Sequence, residues 1–183
     1  MDDVSVVQKL FKIVDDSELC NVYEEFLVNR FAWENFGFWF EVEVFKKEVD
    51  PAELKRQADL IYSKFLEEGS IFELGDLAPA VRKIIKKRMQ NPTPAMFDSL
   101  QRKVMNSLAL ATVADFMEDD MYHVFKASLS ADASSPKSKR TKKVVEVLKK
   151  PKSNVHDELR SQSDLINKNT IAKGFLFNFD GKQ

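Results

Sequence analysis

Residues 31–45 read Phe-Ala-Trp-Glu-Asn-Phe-Gly-Phe-Trp-Phe-Glu-Val-Glu-Val-Phe and place seven aromatic side chains in 15 positions. At helical spacing, one apolar face holds Phe38, Val42, Phe45 and Val49, and a second holds Phe36, Phe40 and Val44. A helix that is apolar on more than one side is usually buried in the middle of a bundle. We therefore predict a central helix over about residues 33–49. Burial does not account for Glu34 and Asn35, two polar residues at its start.

Helical signals continue on both sides of this stretch. Residues 1–126 contain only three glycines, and their four prolines stand at apparent helix starts. An earlier helix is predicted from apolar residues at the spacing i, i+3, i+4, i+7, i+8 and i+12, which are Leu19, Val22, Tyr23, Phe26, Leu27 and Phe31. The body of the chain is therefore expected to be all-α.

Further helices are predicted from their start signals, at Pro51, Pro79, Pro94 and Asp115. Asp50 is expected to cap the first of these, with Glu53 completing a reciprocal capping box. The helix that starts at Pro79 is expected to bury Val81, Ile84 and Ile85. The helix that starts at Pro94 is expected to bury Phe97, Leu100, Val104 and Leu108.

Composition and charge exclude several classes of protein. Hydrophobic residues make up 44% and charged residues 31%, which is typical of a globular chain. No apolar run reaches the ~18–20 residues of a membrane-spanning helix, and the acidic start argues against a secretory signal. Residues 1–126 carry 16 Lys and Arg against 23 Asp and Glu, whereas residues 127–183 carry 12 against 6. Since a nucleic-acid domain concentrates positive charge on its folded part, no nucleic-acid partner is expected.

Four motifs, in order, resemble the regulator of G-protein signalling (RGS) domain. The central one is Glu34-Asn35-x-x-Phe38-Trp39, followed by Glu-x-x-x-Phe-Lys over residues 41–46. The others are Leu-Phe-Lys over 10–12 with Phe-Leu at 26–27, Pro-Thr-x-x-x-Phe-Asp-x-x-Gln over 92–101, and Asp-x-Tyr-x-x-Phe over 120–125. The resemblance covers about residues 8–129.

This resemblance implies a bundle of about nine helices whose loop end grips the switch regions of a G-protein α subunit (Gα). Such a domain supplies no catalytic residue and needs no cofactor or metal. It holds the switches in the arrangement required for GTP hydrolysis, and so favours the transition state. Carried over position by position, the implied Gα-binding residues are Phe31, Glu34, Asn35, Arg88, Phe116, Asp120 and Val124.

Three departures from the family pattern keep a second interpretation open. Arg88 stands where the family has an asparagine. An asparagine amide both donates and accepts hydrogen bonds, whereas the Arg88 guanidinium can only donate them. Val124 stands where an arginine usually accompanies Asp120, and about nine extra residues lie near 107–115. The alternative is therefore an RGS-like scaffold or autoregulatory module without GTPase-activating activity.

The remaining predictions concern smaller clusters and the tail. Glu118, Asp119, Asp120 and His123 are interpreted as an exposed acidic helix start rather than a metal site. We expect a helical domain over 1–129, a flexible, basic, largely disordered linker over 130–170, and an apolar segment over 171–183 that docks as a strand or begins a further domain. The protein is expected to be a cytoplasmic monomer.

The basic cluster of the tail has three open interpretations: contact with anionic lipid at the inner face of the plasma membrane, a solvated linker, or a nuclear-import signal. Its members are Lys137, Lys139, Arg140, Lys142, Lys143, Lys149, Lys150 and Lys152.

Overall fold

The computed structural model describes residues 3–75 and 77–131, and within them every regular element is helical. The helices are α1 (Asp3–Asp15), α2 (Ser17–Asn29), α3 (Glu34–Phe45), α4 (Pro51–Ile61), α5 (Pro79–Arg88), α6 (Asp98–Glu118) and α7 (Asp120–Ala131), with a π-helical turn at Tyr62–Leu66. The all-α prediction is thus confirmed for the described residues. They contain seven α-helices and one π-helical turn, where the resemblance implied about nine helices.

The chain divides into two compact units, and α6 contributes to both. The first unit comprises the described residues up to 33 and from 109 onward, and the second comprises residues 34–108. In the first unit, α2 packs against α1 and α7. Its aromatic core joins Tyr23, Phe26 and Phe116, whose ring centroids lie 5.0–6.1 Å apart.

The second unit is organised around α3, which packs against α4. The expectation of burial on more than one side is confirmed, since the buried residues of α3 are Phe36, Gly37, Phe38, Trp39, Phe40, Val42 and Phe45. Phe97 makes edge-to-face contacts with Phe38 and Phe45, at centroid distances of 6.1 and 5.2 Å. Such contacts stabilise beyond the area that they bury. This aromatic cluster fixes the helix that starts with Glu34 and Asn35.

A buried glutamine ties the start of α6 to α3. Gln101 donates from Nε2 to the carbonyl oxygen of Trp39 at 3.1 Å and to Oε1 of Glu43 at 2.8 Å. Its own Oε1 accepts from Lys46 Nζ. Because both ends of the amide are satisfied, its burial carries little penalty. The RGS-like Gln at this position therefore has a structural role in this chain.

The predicted start of α4 at Pro51 is confirmed, but the reciprocal capping box predicted there was wrong. Asp50 does cap α4, accepting from Glu53 N at 2.8 Å, but the amides of Val49 and Asp50 are bound by Glu48 Oε1, each at 2.9 Å. Glu53 pairs instead with Arg56. The predicted reciprocal capping box is therefore replaced by a side chain from outside the helix.

Two later starts fall beyond their predicted positions. Residues 94–97 form turns, and α6 begins at Asp98 instead of Pro94. The chain does not start a new helix at Asp115 either, because α6 continues through Glu118. The four apolar residues predicted for the start of α6 are nevertheless buried, namely Phe97, Leu100, Val104 and Leu108.

Two apolar residues assigned to buried faces lie at the surface. Val49 is 91% exposed because α3 ends at Phe45, four residues before it. Ile84 is 52% exposed, whereas Ile85, which was also predicted to face inward, is buried. Short helices bury a narrow face, so one of two adjacent apolar residues is left outside.

The predictions for the linker, the basic cluster at 137–152 and the apolar segment at 171–183 lie outside the described residues. The helix α7 ends at Ala131, close to the predicted domain boundary. Among the described helices, none combines the length and apolar character needed to cross a membrane.

The aromatic cluster of the second unit can be tested at Phe97, which is completely buried. We expect Phe97→Ala to lower the free energy of unfolding by about 3–5 kcal/mol, because it leaves a cavity between Phe38 and Phe45. Urea unfolding followed by circular dichroism measures this. Ile71→Ala is the matched control, since Ile71 is 80% exposed and its truncation should change stability by less than about 0.5 kcal/mol. Equal effects of the two variants would contradict the assigned core.

Candidate functional site

The site begins in the first unit, at the turn that ends α2. The helix stops at Asn29, Arg30 is its C-cap, and Phe31 follows with a φ of 53°. The amide of Ala32 donates to the Leu27 carbonyl at 3.0 Å, and the amide of Phe31 donates to the Val28 carbonyl at 3.2 Å. This pair of bonds is the Schellman arrangement, which satisfies two carbonyls at the helix end.

Phe31 occupies the left-handed position that usually belongs to glycine. A Cβ in this conformation costs roughly 1–2 kcal/mol through its clash with the following carbonyl. The side chain is 54% exposed, so burial offsets little of this cost. The prediction that Phe31 extends the apolar stripe of α2 is therefore wrong, because the helix has ended and the turn directs the ring to the surface.

The chain is anchored again two residues after Phe31. Trp33 is completely buried and donates from Nε1 to Oε1 of Glu24 at 3.0 Å. Glu24 itself is buried on α2. A buried indole needs a partner for its N–H, and a buried carboxylate needs donors. The turn that carries Phe31 is thus held on one side by the end of α2 and on the other by Trp33.

Glu34 and Asn35 form the first turn of α3, in the second unit. Both side chains are half-buried. Burial raises the pKa of the Glu34 carboxyl, and a hydrogen bond from its own backbone N–H lowers it to a smaller extent. The partly buried surroundings of Glu34 therefore destabilise its ionised form. Perturbed carboxyls of this kind are concentrated at functional sites.

Arg88 ends α5, also in the second unit. It is exposed, and its Nη1 donates to the Met96 carbonyl at 3.0 Å. The residues between these two form the turn that precedes α6. The arginine that stands in place of the family's asparagine therefore binds its own loop, with further guanidinium donors remaining on an exposed group.

The last candidates lie at the end of α6 and on α7, in the first unit. Asp120 is exposed at the start of α7, and Val124 is exposed one turn later. Phe116, in contrast, is completely buried among Tyr23, Phe26 and Tyr122. A buried ring cannot touch a partner, so Phe116 supports the surface from beneath.

Arg30 has a role in this region that the sequence motifs do not predict. Its Nη1 lies 3.3 Å from Asp115 Oδ2, and its Nη2 lies 3.3 Å from Asp119 Oδ2. The guanidinium carbon is 4.5 Å from the centroid of the Phe26 ring. Such a contact requires a long-range pairing of α2 with the α6–α7 junction, and no local motif encodes it. Its only sequence signal was an excess of acid at residues 115–120.

The extra residues near 107–115 are helical. They lie inside α6, which shows no break from Asp98 to Glu118. Their inward positions include Leu108, Thr112 and Val113, all buried. Thr112 Oγ1 and Tyr23 Oη share a hydrogen bond of 2.5 Å. The insertion therefore lengthens a helix that packs on α2, and it does not add a loop.

Comparison with known proteins agrees with the motifs. A family model described as the regulator of G protein signaling domain matches residues 9–125. "Regulator of G-protein signaling 10" from rat is 27% identical over 113 residues, covering 62% of this chain and 61% of its own length. The human protein of the same name is 26% identical over 127 residues, covering 69% of each. "Regulator of G-protein signaling 20" from cattle is 31% identical over 113 residues, 62% of this chain and 30% of its own. The match thus spans about six-tenths of the rat relative.

The strain at Phe31 can be measured with two substitutions. Phe31→Gly removes the Cβ clash, whereas Phe31→Ala removes the ring and keeps the Cβ. We expect the glycine variant to be more stable than the alanine variant by about 1 kcal/mol. Urea unfolding of the two variants gives the difference directly. If alanine proves equally stable, the left-handed turn is not the source of the cost.

The burial of Glu34 predicts a pH-dependent effect. Because its pKa in the folded protein lies above the ordinary value of 4.5, ionisation of Glu34 destabilises the fold above that folded pKa. Below the ordinary value the group is protonated in both states, and this penalty vanishes. We therefore expect Glu34→Gln to be more stable than the wild type at neutral pH, with an advantage that shrinks on acidification. Thermal unfolding at a series of pH values measures it.

The control for this experiment is Glu67→Gln, which removes a negative charge at an exposed position. An advantage of Glu34→Gln that persists unchanged in acid would show that the amide acts through hydrogen bonding rather than through loss of a buried charge.

Proposed function

Since the chain belongs to the family of regulators of G-protein signalling, we propose that it binds activated Gα and accelerates GTP hydrolysis by ordering the Gα switch regions. The residues proposed for this contact are Phe31, Glu34, Asn35, Arg88, Asp120 and Val124, and the buried Phe116 supports those of the first unit. The protein is proposed to act in the cytoplasm, where it meets Gα at the inner face of the plasma membrane.

The observation that carries the proposal is the exposed aromatic ring of Phe31 on a left-handed turn. Its conformation costs stability, and so does the half-buried carboxyl of Glu34 three residues later. Burial offsets little of the cost at Phe31, whose side chain is 54% exposed. Strained backbone conformations of this kind are concentrated at binding and catalytic sites. Two such features beside Asn35, the central residue of the motif, favour a binding role for this segment.

The mechanism follows from what Gα already contains. Gα carries the glutamine that orients the attacking water and an arginine in cis that stabilises the developing charge. A partner that immobilises the switches needs no catalytic group of its own, because it binds the transition-state arrangement more tightly than the ground state. On this proposal the Asn35 amide both donates to and accepts from switch residues. Asp120 supplies an acceptor, and Phe31 supplies apolar contact.

The decisive experiment is single-turnover GTP hydrolysis by a panel of Gα subunits, with and without the full chain. We expect acceleration of at least one Gα, together with binding to its aluminium-fluoride form. We further expect Asn35→Ala to weaken that binding by about tenfold or more, because switch groups desolvated at the contact lose their partner. Unchanged hydrolysis across the panel, together with no binding, would overturn the proposal.

Asn106→Ala provides a matched control for this substitution. Asn106 is an exposed asparagine on α6, away from the proposed contact residues in the sequence. Its replacement should leave both hydrolysis and binding unchanged. Circular dichroism of both variants checks that the Asn35→Ala effect does not come from unfolding.

A second function is favoured by the side chain of Arg88. Its guanidinium is bonded within its own loop, to Met96, and Val124 cannot pair with Asp120. An RGS-like module that binds another protein without activating a GTPase fits these two departures. Capture of a partner other than Gα, with affinity unaffected by Asn35→Ala, would favour this function over the first.

A further inference from the structure

We propose that Arg30 is a positioning residue for Gα binding, because it ties the turn that presents Phe31 to the junction that presents Asp120. This inference rests on the proposed function and adds to it a residue outside the family motifs. All of the contacts that support it lie within the first unit.

Arg30 joins two segments that are far apart in the sequence. As the C-cap of α2, it immediately precedes Phe31, and its backbone N–H donates to Leu27 at 3.2 Å. Its two terminal nitrogens reach Asp115 and Asp119, each at 3.3 Å. The planar fork of an arginine can bind two carboxylates at once, which a lysine cannot do with the same geometry.

Asp119 divides its two oxygens between Arg30 and α7. Oδ2 faces the guanidinium, and Oδ1 accepts from the backbone N–H of Met121 at 2.9 Å. The second bond caps the first turn of α7, which begins at Asp120. The orientation of Asp119 therefore sets the direction in which Asp120 leaves the junction, and Arg30 fixes that orientation.

Negative charge accumulates at the junction of α6 and α7. Asp115 and Glu118 lie in the last turn of α6, where the helix dipole is also negative, and Asp119 and Asp120 follow at the start of α7. Asp115 and Asp119 are four residues apart, a spacing at which like charges repel each other on a helix. Arg30 stands between these two carboxylates and opposes both effects.

Arg30 also supplies a positive charge at the junction, where Val124 supplies none. The resemblance implies an arginine on α7 that orients the aspartate, and Val124 carries no charge. In this chain the cation approaches the junction from α2 instead. The same side chain lies over Phe26, which packs on Phe116 at 5.2 Å, so buried rings support the guanidinium from below.

The first test uses the full chain without Gα. Arg30→Gln should raise the hydrogen-exchange rates of the Phe31, Ala32 and Met121 amides by about three- to tenfold, because the ion pairs that hold both segments are lost. Arg56→Gln is the matched control, since Arg56 pairs with Glu53 on an exposed face of α4. Unchanged exchange at these three amides would overturn the positioning role, whether or not Gα is bound.

The second test is a double-mutant cycle on affinity for aluminium-fluoride Gα and on single-turnover hydrolysis. Arg30→Gln should weaken binding by about three- to tenfold while leaving the rate at saturation unchanged. Arg30→Lys should restore part of the affinity. In an Asp115→Asn, Asp119→Asn background, Arg30→Gln should have no further effect, because the asparagine at 119 still caps α7 and the ion pairs are already absent.

The outcomes separate the two proposals. An equal loss of affinity in both backgrounds means that Arg30 contacts Gα directly, which overturns positioning. Failure of the wild-type chain to bind any Gα overturns the proposed function, and the exchange experiment still decides whether Arg30 orders the two segments.

Discussion

The arrangement of the proposed site depends on the turn that ends α2 at Phe31. Two backbone hydrogen bonds close the helix over Phe31, and the Trp33 indole is bound by Glu24 two residues later. Because both ends of this turn are fixed, the residue between them has no freedom to relax to the right-handed region. Backbone hydrogen bonds thus hold this aromatic side chain at the surface. The start of α3, and with it Glu34 and Asn35, follows directly from the same turn.

Different residues of this chain stabilise the fold and form the surface proposed to bind Gα. The buried rings of each unit, such as Phe97 and Phe116, supply the packing energy and touch nothing outside. Two of the residues proposed for Gα contact, Phe31 and Glu34, instead cost stability. Proteins lie only slightly above the stability that they need, so a core must offset such costs. Residues 31–45 are rich in buried aromatic side chains, and their packing offsets the cost at Phe31 and Glu34 in the same segment.

Sequence reasoning succeeded where the signal was periodic or motif-like. The central helix, its burial on two sides and the apolar face of α6 follow from spacing alone, and the family follows from four ordered motifs. It failed where hydrogen bonds between sequence neighbours compete. Both Glu48 and Glu53 are close enough in sequence to bind the amide of Asp50, and only the structure shows that Glu48 binds it. The Phe31 conformation was missed because a left-handed turn is normally inferred from glycine. Arg30 was missed because its partners lie 85 and 89 residues away.

On the proposed function, the effect of Arg88 and Val124 depends on which partner supplies the catalytic groups. If the catalytic groups belong to Gα, this chain changes the rate only through its preference for one arrangement of the switches. Each contact then contributes a graded amount, and a loss of about 1.4 kcal/mol lowers the rate tenfold rather than abolishing it. On the proposed function, the departures at Arg88 and Val124 leave this mechanism in place. They would change which switch sequences are bound well, because a guanidinium only donates hydrogen bonds and a valine offers only apolar contact. On the proposed function, these two positions therefore influence partner choice, and the turn at Phe31 and the start of α3 supply the contacts on which GTPase activation depends.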